Sequence, residues 1–201
     1  MRIFLATQNR GKIEEIKLIL NQISEEINHK IEIVIPEEKH KIPETGKTYE
    51  QNALIKALWW SERIKDIPII SEDSGIEISA LGGYPGKDSS IVPAPEASDR
   101  ERCIHILELM NNKANRSARY VSCAMILFKK TWFYEFGYTW GEITNTIRGN
   151  GGFGYDPIFF SHEINKTFGE ATIEEKTKVS HRKRSIVKLK DLIKKICQEH
   201  L

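Results

Sequence analysis

Ser71-Glu72-Asp73-Ser74-Gly75 sets two adjacent carboxylates between hydroxyls, directly after the apolar run Ile67-Pro68-Ile69-Ile70. A β-branched run that ends in acids, a hydroxyl and a glycine predicts a buried strand opening into a functional loop. Neighbouring carboxylates repel and are hard to desolvate together, so a cation is expected beside them. Mg²⁺, a hard ion that prefers oxygen ligands, suits such a site best. Taken alone, a Glu-Asp pair reads as a solvated acidic turn; other stretches of the chain argue for chemistry.

Gly149-Asn150-Gly151-Gly152-Phe153-Gly154-Tyr155-Asp156-Pro157 is the second such stretch, with four glycines in its first six residues. That density predicts close backbone approach or positive φ angles around Phe153. Two aromatics and an acid within it suit a ligand clamp. Near the N-terminus, Thr7-Gln8-Asn9-Arg10-Gly11-Lys12 forms a polar turn between the apolar Ile3-Phe4-Leu5-Ala6 and a helical pattern. A turn of this kind presents backbone N–H groups to an anion, and Lys12 adds a point charge. It is not a Walker A loop, because that motif's glycine spacing and Lys-Ser/Thr ending are missing. Last, the stretch Lys176 to Lys195 is strongly basic, and His181 and Arg182 fall in the first turn of a predicted helix. Cations at that end of a helix cost roughly 0.3–1 kcal/mol each unless an anion or polar ligand compensates.

These residues need elements to hold them. Ile13, Ile16, Leu20, Ile23 and Ile27 recur at helical spacing behind Asn9, a candidate N-cap, with Glu14 and Glu15 near the favourable end of the dipole. Ile31, Ile33 and Ile35 alternate with Glu32 and Val34 and predict a half-buried strand ended by Pro36. Thr48 caps a predicted helix whose core face is Tyr49, Ala53, Ala57, Trp60 and Ile64. Asn52 and Lys56 share another face of it and on their own read as solvated. Ser98 with Glu101 is a capping-box signature for a helix burying Cys103, Leu107 and Met110. Arg119 to Phe128 and Thr131 to Gly141 read as a hairpin turning at Lys129-Lys130. The aromatic stripe Trp132, Tyr134, Phe136, Tyr138, Trp140 is assigned to packing, at a core or a dimer contact. A last helix is expected from Ser180, burying Ile186, Leu189, Ile193 and Ile196.

The 201 residues suffice for one sizeable core, and a net charge of +2 implies no general nucleic-acid or membrane-surface partner. Cys103, Cys123 and Cys197 are odd in number and widely spaced, which fits reduced thiols. No apolar run approaches transmembrane length and no signal-peptide pattern opens the chain, so a cytoplasmic protein is expected.

With its segments placed, the sequence resembles the inosine-triphosphatase family, pyrophosphatases of non-standard purine nucleoside triphosphates. The matching motifs, in the family's order, are Ala6 to Lys12, Glu44-Thr45-Gly46 leading to Asn52-Ala53 and Lys56-Ala57, and Asp73-Ser74-Gly75. They continue with Leu81-Gly82-Gly83 and Pro85-Gly86, then Gly151 to Phe160, and finally Glu175-Lys176 with Ser180-His181-Arg182. The resemblance implies a single α/β domain over 1–201, elongated and two-lobed. Its long twisted mixed β-sheet would be flanked by helices, with a cleft between the lobes and a homodimer in solution. It implies Mg²⁺-dependent hydrolysis of XTP, ITP and dITP to the monophosphate and pyrophosphate. Phosphate contacts carry over to Thr7, Gln8, Asn9, Arg10, Gly11, Lys12, Lys56 and Ser74. Metal ligation carries over to Glu44 and Asp73, with Asp73 also the proton acceptor. Base contacts carry over to Phe153, Gly154, Tyr155, Asp156, Lys176, His181 and Arg182.

Three positions depart from the pattern. Glu72 stands where an Asp is usual, Gln51 replaces a common Glu, and Lys87-Asp88-Ser89-Ser90-Ile91 replaces a frequent Tyr-Ser-Ala-Arg. The alternatives are a related pyrophosphatase with another base preference and, from a different class, a nucleotide- or RNA-binding protein without catalysis. Glu44 and Asp73 together separate these, because a binding module needs no metal-bound base.

Overall fold

The computed structural model describes residues 1–198. The strands are β1 (Arg2–Leu5), β2 (Glu32–Val34), β3 (Ile69–Ile78), β4 (Pro85–Gly86), β5 (Ser117–Phe128), β6 (Thr131–Ile143), β7 (Phe159–Ser161) and β8 (Lys166–Thr167). The helices are α1 (Arg10–Glu26), α2 (Tyr49–Ser61), α3 (Asp99–Leu109), α4 (Ile173–Val179), α5 (His181–Lys188) and α6 (Lys190–Gln198). The strands make one mixed sheet in the order β2-β1-β3-β5-β6-β7-β8, with β4 beside β3. β1 runs parallel to β2 and β3, whereas β4, β7 and β8 pair antiparallel with their neighbours. The chain divides into two compact units. One holds Met1–Asp73, Ser122–Gly137 and the residues from Arg182 on; the other holds Ser74–Val121 and Tyr138–His181.

In the first unit, alternation along the strands sorts the core into two layers. Ile3, Leu5, Ile70, Ala124 and Ile126 face one way and pack with Ile16, Ile19, Leu20 and Ile23 of α1, Ile186 of α5 and Ile193 of α6. Phe4, Ala6, Ile69, Met125 and Leu127 face the other way, against Ala53, Ala57 and Trp60 of α2. A strand buried on both faces reads as a continuous apolar run, which is why Ile3 to Ala6 and Ile67 to Ile70 carry no polar alternation. The second unit buries Ile76, Ile78, Cys103, Ile106, Met110, Tyr120, Ile143, Tyr155, Ile158, Phe159 and Phe168 together.

The predicted caps are present. Asn9 Oδ1 accepts from Lys12 N at 3.0 Å, Thr48 Oγ1 from Gln51 N at 3.4 Å, and Ser98 with Glu101 closes a capping box. Lys129 and Lys130 turn the β5–β6 connection with φ of 46° and 65°, the left-handed pair that a two-residue hairpin demands.

Two expectations need correction, and a third is narrowed. The acidic stretch is not a loop: β3 runs unbroken from Ile69 to Ile78. The last helix is two, α5 and α6, separated at Leu189, although both halves bury the predicted residues in one cluster. Of the two places open to the aromatic stripe of β6, the core of this chain is excluded, since Trp132, Tyr134 and Trp140 are 46%, 47% and 58% exposed. The buried positions at that end of β6 are small: Gly137, Thr139 and Gly141. A Cβ at Gly141 would stand 2.2 Å from the Phe160 carbonyl and 2.7 Å from the Phe159 ring, so the aromatics of β7 claim that space.

Candidate active site

Because β3 continues through the acids, Glu72 and Asp73 point to opposite faces of the sheet. Ser71 and Asp73 share the face that packs on α2. Ser71 Oγ donates to the Ala53 carbonyl at 2.7 Å, and Asp73 Oδ2 accepts from Asn52 Nδ2 at 3.1 Å. Lys56 Nζ lies 3.0 Å from Asp73 Oδ1 and 3.1 Å from Glu44 Oε1, drawing both carboxylates onto one ammonium. Asn52 is itself fixed by Gly46 N, which donates to its Oδ1 at 2.8 Å. Asn52 and Lys56 are thus buried, not solvated, and they tie α2 and the Glu44–Gly46 loop to Asp73. Burial pushes the Asp73 carboxyl above its ordinary pKa, against the pull of Lys56 and Lys12. For Lys56, burial is the largest influence and favours the neutral amine. Asp73, Glu44 and Glu72 together outweigh it and raise the ammonium pKa.

Glu72 faces the other layer and has its own cations. Lys12 Nζ lies 2.9 Å from Oε2, Ser122 Oγ donates to Oε1 at 2.8 Å, and Arg182 Nε is 3.3 Å from Oε1. The Arg182 guanidinium, 1% exposed, also reaches Glu15 Oε2 at 2.5 Å. The adjacent acids therefore do not share one counter-ion: Lys56 faces Asp73, and Lys12 and Arg182 face Glu72. The compensation left to a ligand at Arg182 comes from Glu15 and Glu72 of the protein itself.

In the second unit the glycine-rich stretch folds around Asp156, which is 1% exposed. Its Oδ2 accepts from Phe153 N at 2.9 Å and from Lys176 Nζ at 2.5 Å, and its Oδ1 accepts from the Tyr120 hydroxyl at 3.0 Å. Gly152 has φ of 70°, and a Cβ there would stand 2.1 Å from Asp156 Oδ2, so only glycine lets the loop close on this carboxylate. The Lys176 ammonium lies 4.3 Å from the Phe153 ring centroid. The loop borders a cavity of about 270 Å³ lined by Asp99, Arg100 and Cys103 of α3 and by Gly149 to Gly154. Gly75 serves the neighbouring strand pair: a Cβ there would meet the Gly86 carbonyl at 2.0 Å.

Of the residues singled out in the sequence, the structure brings Glu44, Lys56 and Asp73 together in the first unit and Phe153, Asp156 and Lys176 in the second. Ser74 follows Asp73 in β3 and is half-buried, and Gly154 has φ of 61°. Tyr155 is buried, its hydroxyl 2.9 Å from the Ser89 carbonyl, which gives the divergent Lys87–Ile91 loop a structural tie. In the N-terminal turn, Thr7 and Gly11 are half-buried and Arg10 is exposed. Asn9 is spent on its cap, and Lys12 is paired with Glu72. Gln8 is engaged on both sides of its amide, donating to the Glu38 carbonyl at 2.9 Å and accepting from His40 N at 3.1 Å. His181 is buried and stacks on Tyr120, with centroids 4.7 Å apart and planes 9° apart. Tyr120 carried no signal in the sequence beyond being one β-former in a strand. The sequence assigns Glu15 only to the dipole of α1, and the structure buries it against Arg182.

The residues that could hold a divalent cation are Glu44 and Asp73. No group of three or more His, Cys, Asp or Glu side chains gathers among the described residues. Two carboxylates converging on one ammonium are a sparse hard-oxygen set. That fits Mg²⁺, which is commonly held by one or two carboxylates together with substrate phosphates. Among the described residues no helix is long and apolar enough to cross a membrane.

A sequence model of the Ham1 family matches residues 3–192. The chain is 38% identical to a dITP/XTP pyrophosphatase of Aquifex aeolicus, over 96% of this chain and 97% of that protein. It is 34% identical to the one of Caldanaerobacter subterraneus, covering the whole of both. Among solved structures, a HAM1 protein from Coxiella burnetii superposes with a TM-score of 0.82 at 30% identity, covering 97% of this chain and 99% of that one. The Staphylococcus aureus Ham1 protein superposes with a TM-score of 0.81 at 29% identity, covering 96% and 98%. The mixed sheet with its flanking helices and the near full-length matches have one reading: the chain belongs to the Ham1 family.

Proposed function

We propose that the protein hydrolyses non-standard purine nucleoside triphosphates (XTP, ITP and dITP) to the monophosphate and pyrophosphate. The observation that carries this reading is the convergence of Glu44, Asn52 and Lys56 on the buried Asp73, in a chain similar along its length to proteins named dITP/XTP pyrophosphatase. A carboxylate gripped on both oxygens inside the protein is an oriented base, not a solvated charge.

The roles follow from residue type. Asp73 accepts a proton from the water that attacks the α-phosphorus; the bond from that phosphorus to the bridging oxygen breaks, and pyrophosphate leaves. Asn52 and Lys56 hold Asp73 in one orientation, and Lys56 offsets charge on the phosphoryl oxygens. Glu44 and Asp73 would hold Mg²⁺, which supplies charge neutralisation to a triphosphate carrying roughly four negative charges. Lys12 and the start of α1 take the phosphate tail. In the second unit, Phe153 stacks on the purine, Gly154 to Asp156 present the loop backbone to its edge, and Lys176 holds the loop. His181 donates to the 6-keto group that inosine and xanthine carry and adenine lacks. A donor facing the 6-amino group of adenine is left unpaired, which disfavours it by up to about 10⁴-fold. Guanine also has a 6-keto group, so its exclusion falls to the Phe153–Asp156 loop. Arg182 is left out of the base-reading set, because its guanidinium is buried against Glu15 and Glu72. A homodimer free in the cytoplasm, with no stable nucleic-acid partner, completes the reading.

The test is pyrophosphate release with Mg²⁺ from ITP, XTP, GTP and ATP side by side. Rapid turnover of ITP and XTP with slow GTP and ATP is expected. Equal turnover of all four, or none, refutes the assignment.

A further inference from the structure

Tyr120, in β5, connects the two groups of the second unit to which the base was assigned. Its hydroxyl donates to Asp156 Oδ1 at 3.0 Å, and the other oxygen of that carboxylate holds Phe153 N at 2.9 Å and Lys176 Nζ at 2.5 Å. Its ring lies parallel to the His181 imidazole, 9° between planes and 4.7 Å between centroids. The ring is fixed in turn by Phe159, edge-on at 4.7 Å, and by Phe168, stacked at 5.8 Å. The residue is 7% exposed, and burial beside the Asp156 carboxylate pushes the phenol pKa well above its ordinary value, so the hydroxyl stays a donor. Phe159 and Phe168 are fully buried and leave the ring one orientation.

We infer that Tyr120 is a positioning residue for base recognition, setting the glycine loop through Asp156 and the imidazole plane through ring stacking. The inference rests on the reading that the Phe153–Asp156 loop and His181 take the base. A rigid support is needed there: discrimination by hydrogen bonds depends on donors held within a fraction of an ångström, and a glycine-rich loop does not hold itself. A side chain that couples the loop to the imidazole keeps both parts of the reader in one register.

The experiment compares equilibrium binding of two product fragments, inosine monophosphate and pyrophosphate, to the parent and to Tyr120→Phe. Phenylalanine keeps the ring contacts and removes only the bond to Asp156. The expected result is at least about tenfold weaker inosine monophosphate binding, as suits one lost hydrogen bond to a charged group, with pyrophosphate binding unchanged. In turnover of ITP the same variant is expected to raise KM with kcat within about twofold. Adding Tyr120→Phe to Asp156→Asn should cost nothing further, because the hydroxyl acts through that carboxylate. Equal weakening of both fragments means a general structural role and overturns the inference, as does unchanged binding of both. Multiplicative losses in the double variant also overturn it. A parent that releases no pyrophosphate from ITP refutes the proposed function instead, which keeps the two failures apart.

Discussion

Replacing Arg182 by methionine separates two roles for the cation at the start of α5. The guanidinium is 1% exposed and sits against Glu15 Oε2 at 2.5 Å and Glu72 Oε1 at 3.3 Å. Methionine keeps the volume of the side chain and removes the charge from between two buried carboxylates. Taking one partner from a buried ion pair costs about 3–5 kcal/mol, because the remaining charge stays desolvated. Glu72 keeps Lys12 and the Ser122 hydroxyl, so the lower end, about 3 kcal/mol, is expected here. For a chain of 201 residues that corresponds to a melting temperature lower by roughly 6–12 °C. The assay is urea unfolding of the parent, Arg182→Met, Glu15→Gln and the double variant, followed by two optical probes. The double variant should recover about 1 kcal/mol or more relative to additivity, since neutralising Glu15 relieves one of the stranded charges. ITP turnover, measured well below the melting transition, should fall in proportion to that of ATP. Stability within about 1 kcal/mol of the parent, with ITP turnover lost far more than ATP turnover, would refute the pairing argument. It would return Arg182 to the base.

Three further outcomes are expected. Asp73→Asn should lower pyrophosphate release by about 10²–10⁴-fold while triphosphate binding remains measurable; turnover near the parent rate would remove Asp73 as the base. Glu44→Gln should raise the Mg²⁺ concentration for half-maximal activity, and an unchanged titration would leave Glu44 as a partner of Lys56 only. Burial pushes the Cys103 and Cys123 thiols up to about 12, so both should resist alkylation at pH 8 until the chain unfolds. The sign of the linked stability change follows. Below pH 9 the thiols are protonated in both states. Between about 9 and about 12 only the unfolded chain releases its protons, so stability falls as pH rises. A Cys103→Ala, Cys123→Ala variant should lose less stability over that window, as read by urea midpoints at pH 8 and 10.

Local physics fixed much of this molecule in advance. The caps at Asn9, Thr48 and Ser98, the helical faces of α1 and α2, the turn at Lys129-Lys130 and the glycine loop all depend on interactions within a few residues. Composition and periodicity report such interactions directly. Asp73 was conspicuous in the sequence as one of two adjacent acids behind an apolar run, whereas Glu44 was singled out only by the family resemblance. Tertiary structure decided what surrounds them. A polar strand such as Ser71–Gly75 looks like a loop until its neighbours are known, and once it is a strand the two-residue repeat sends Glu72 and Asp73 to different layers. Asn52 and Lys56 looked solvated because nothing near them in sequence accepts their hydrogen bonds; Asp73, 21 residues beyond Asn52, does. The cation at Arg182 looked uncompensated because its partner Glu15 lies 167 residues away. The aromatic stripe of β6 left core and interface open for the same reason: which face of a strand is buried depends on the strand beside it. There the rings of β7 leave room only for the small residues between the aromatics. Pairing of charges and choice of buried face are set by long-range contacts, and no window of local sequence contains them.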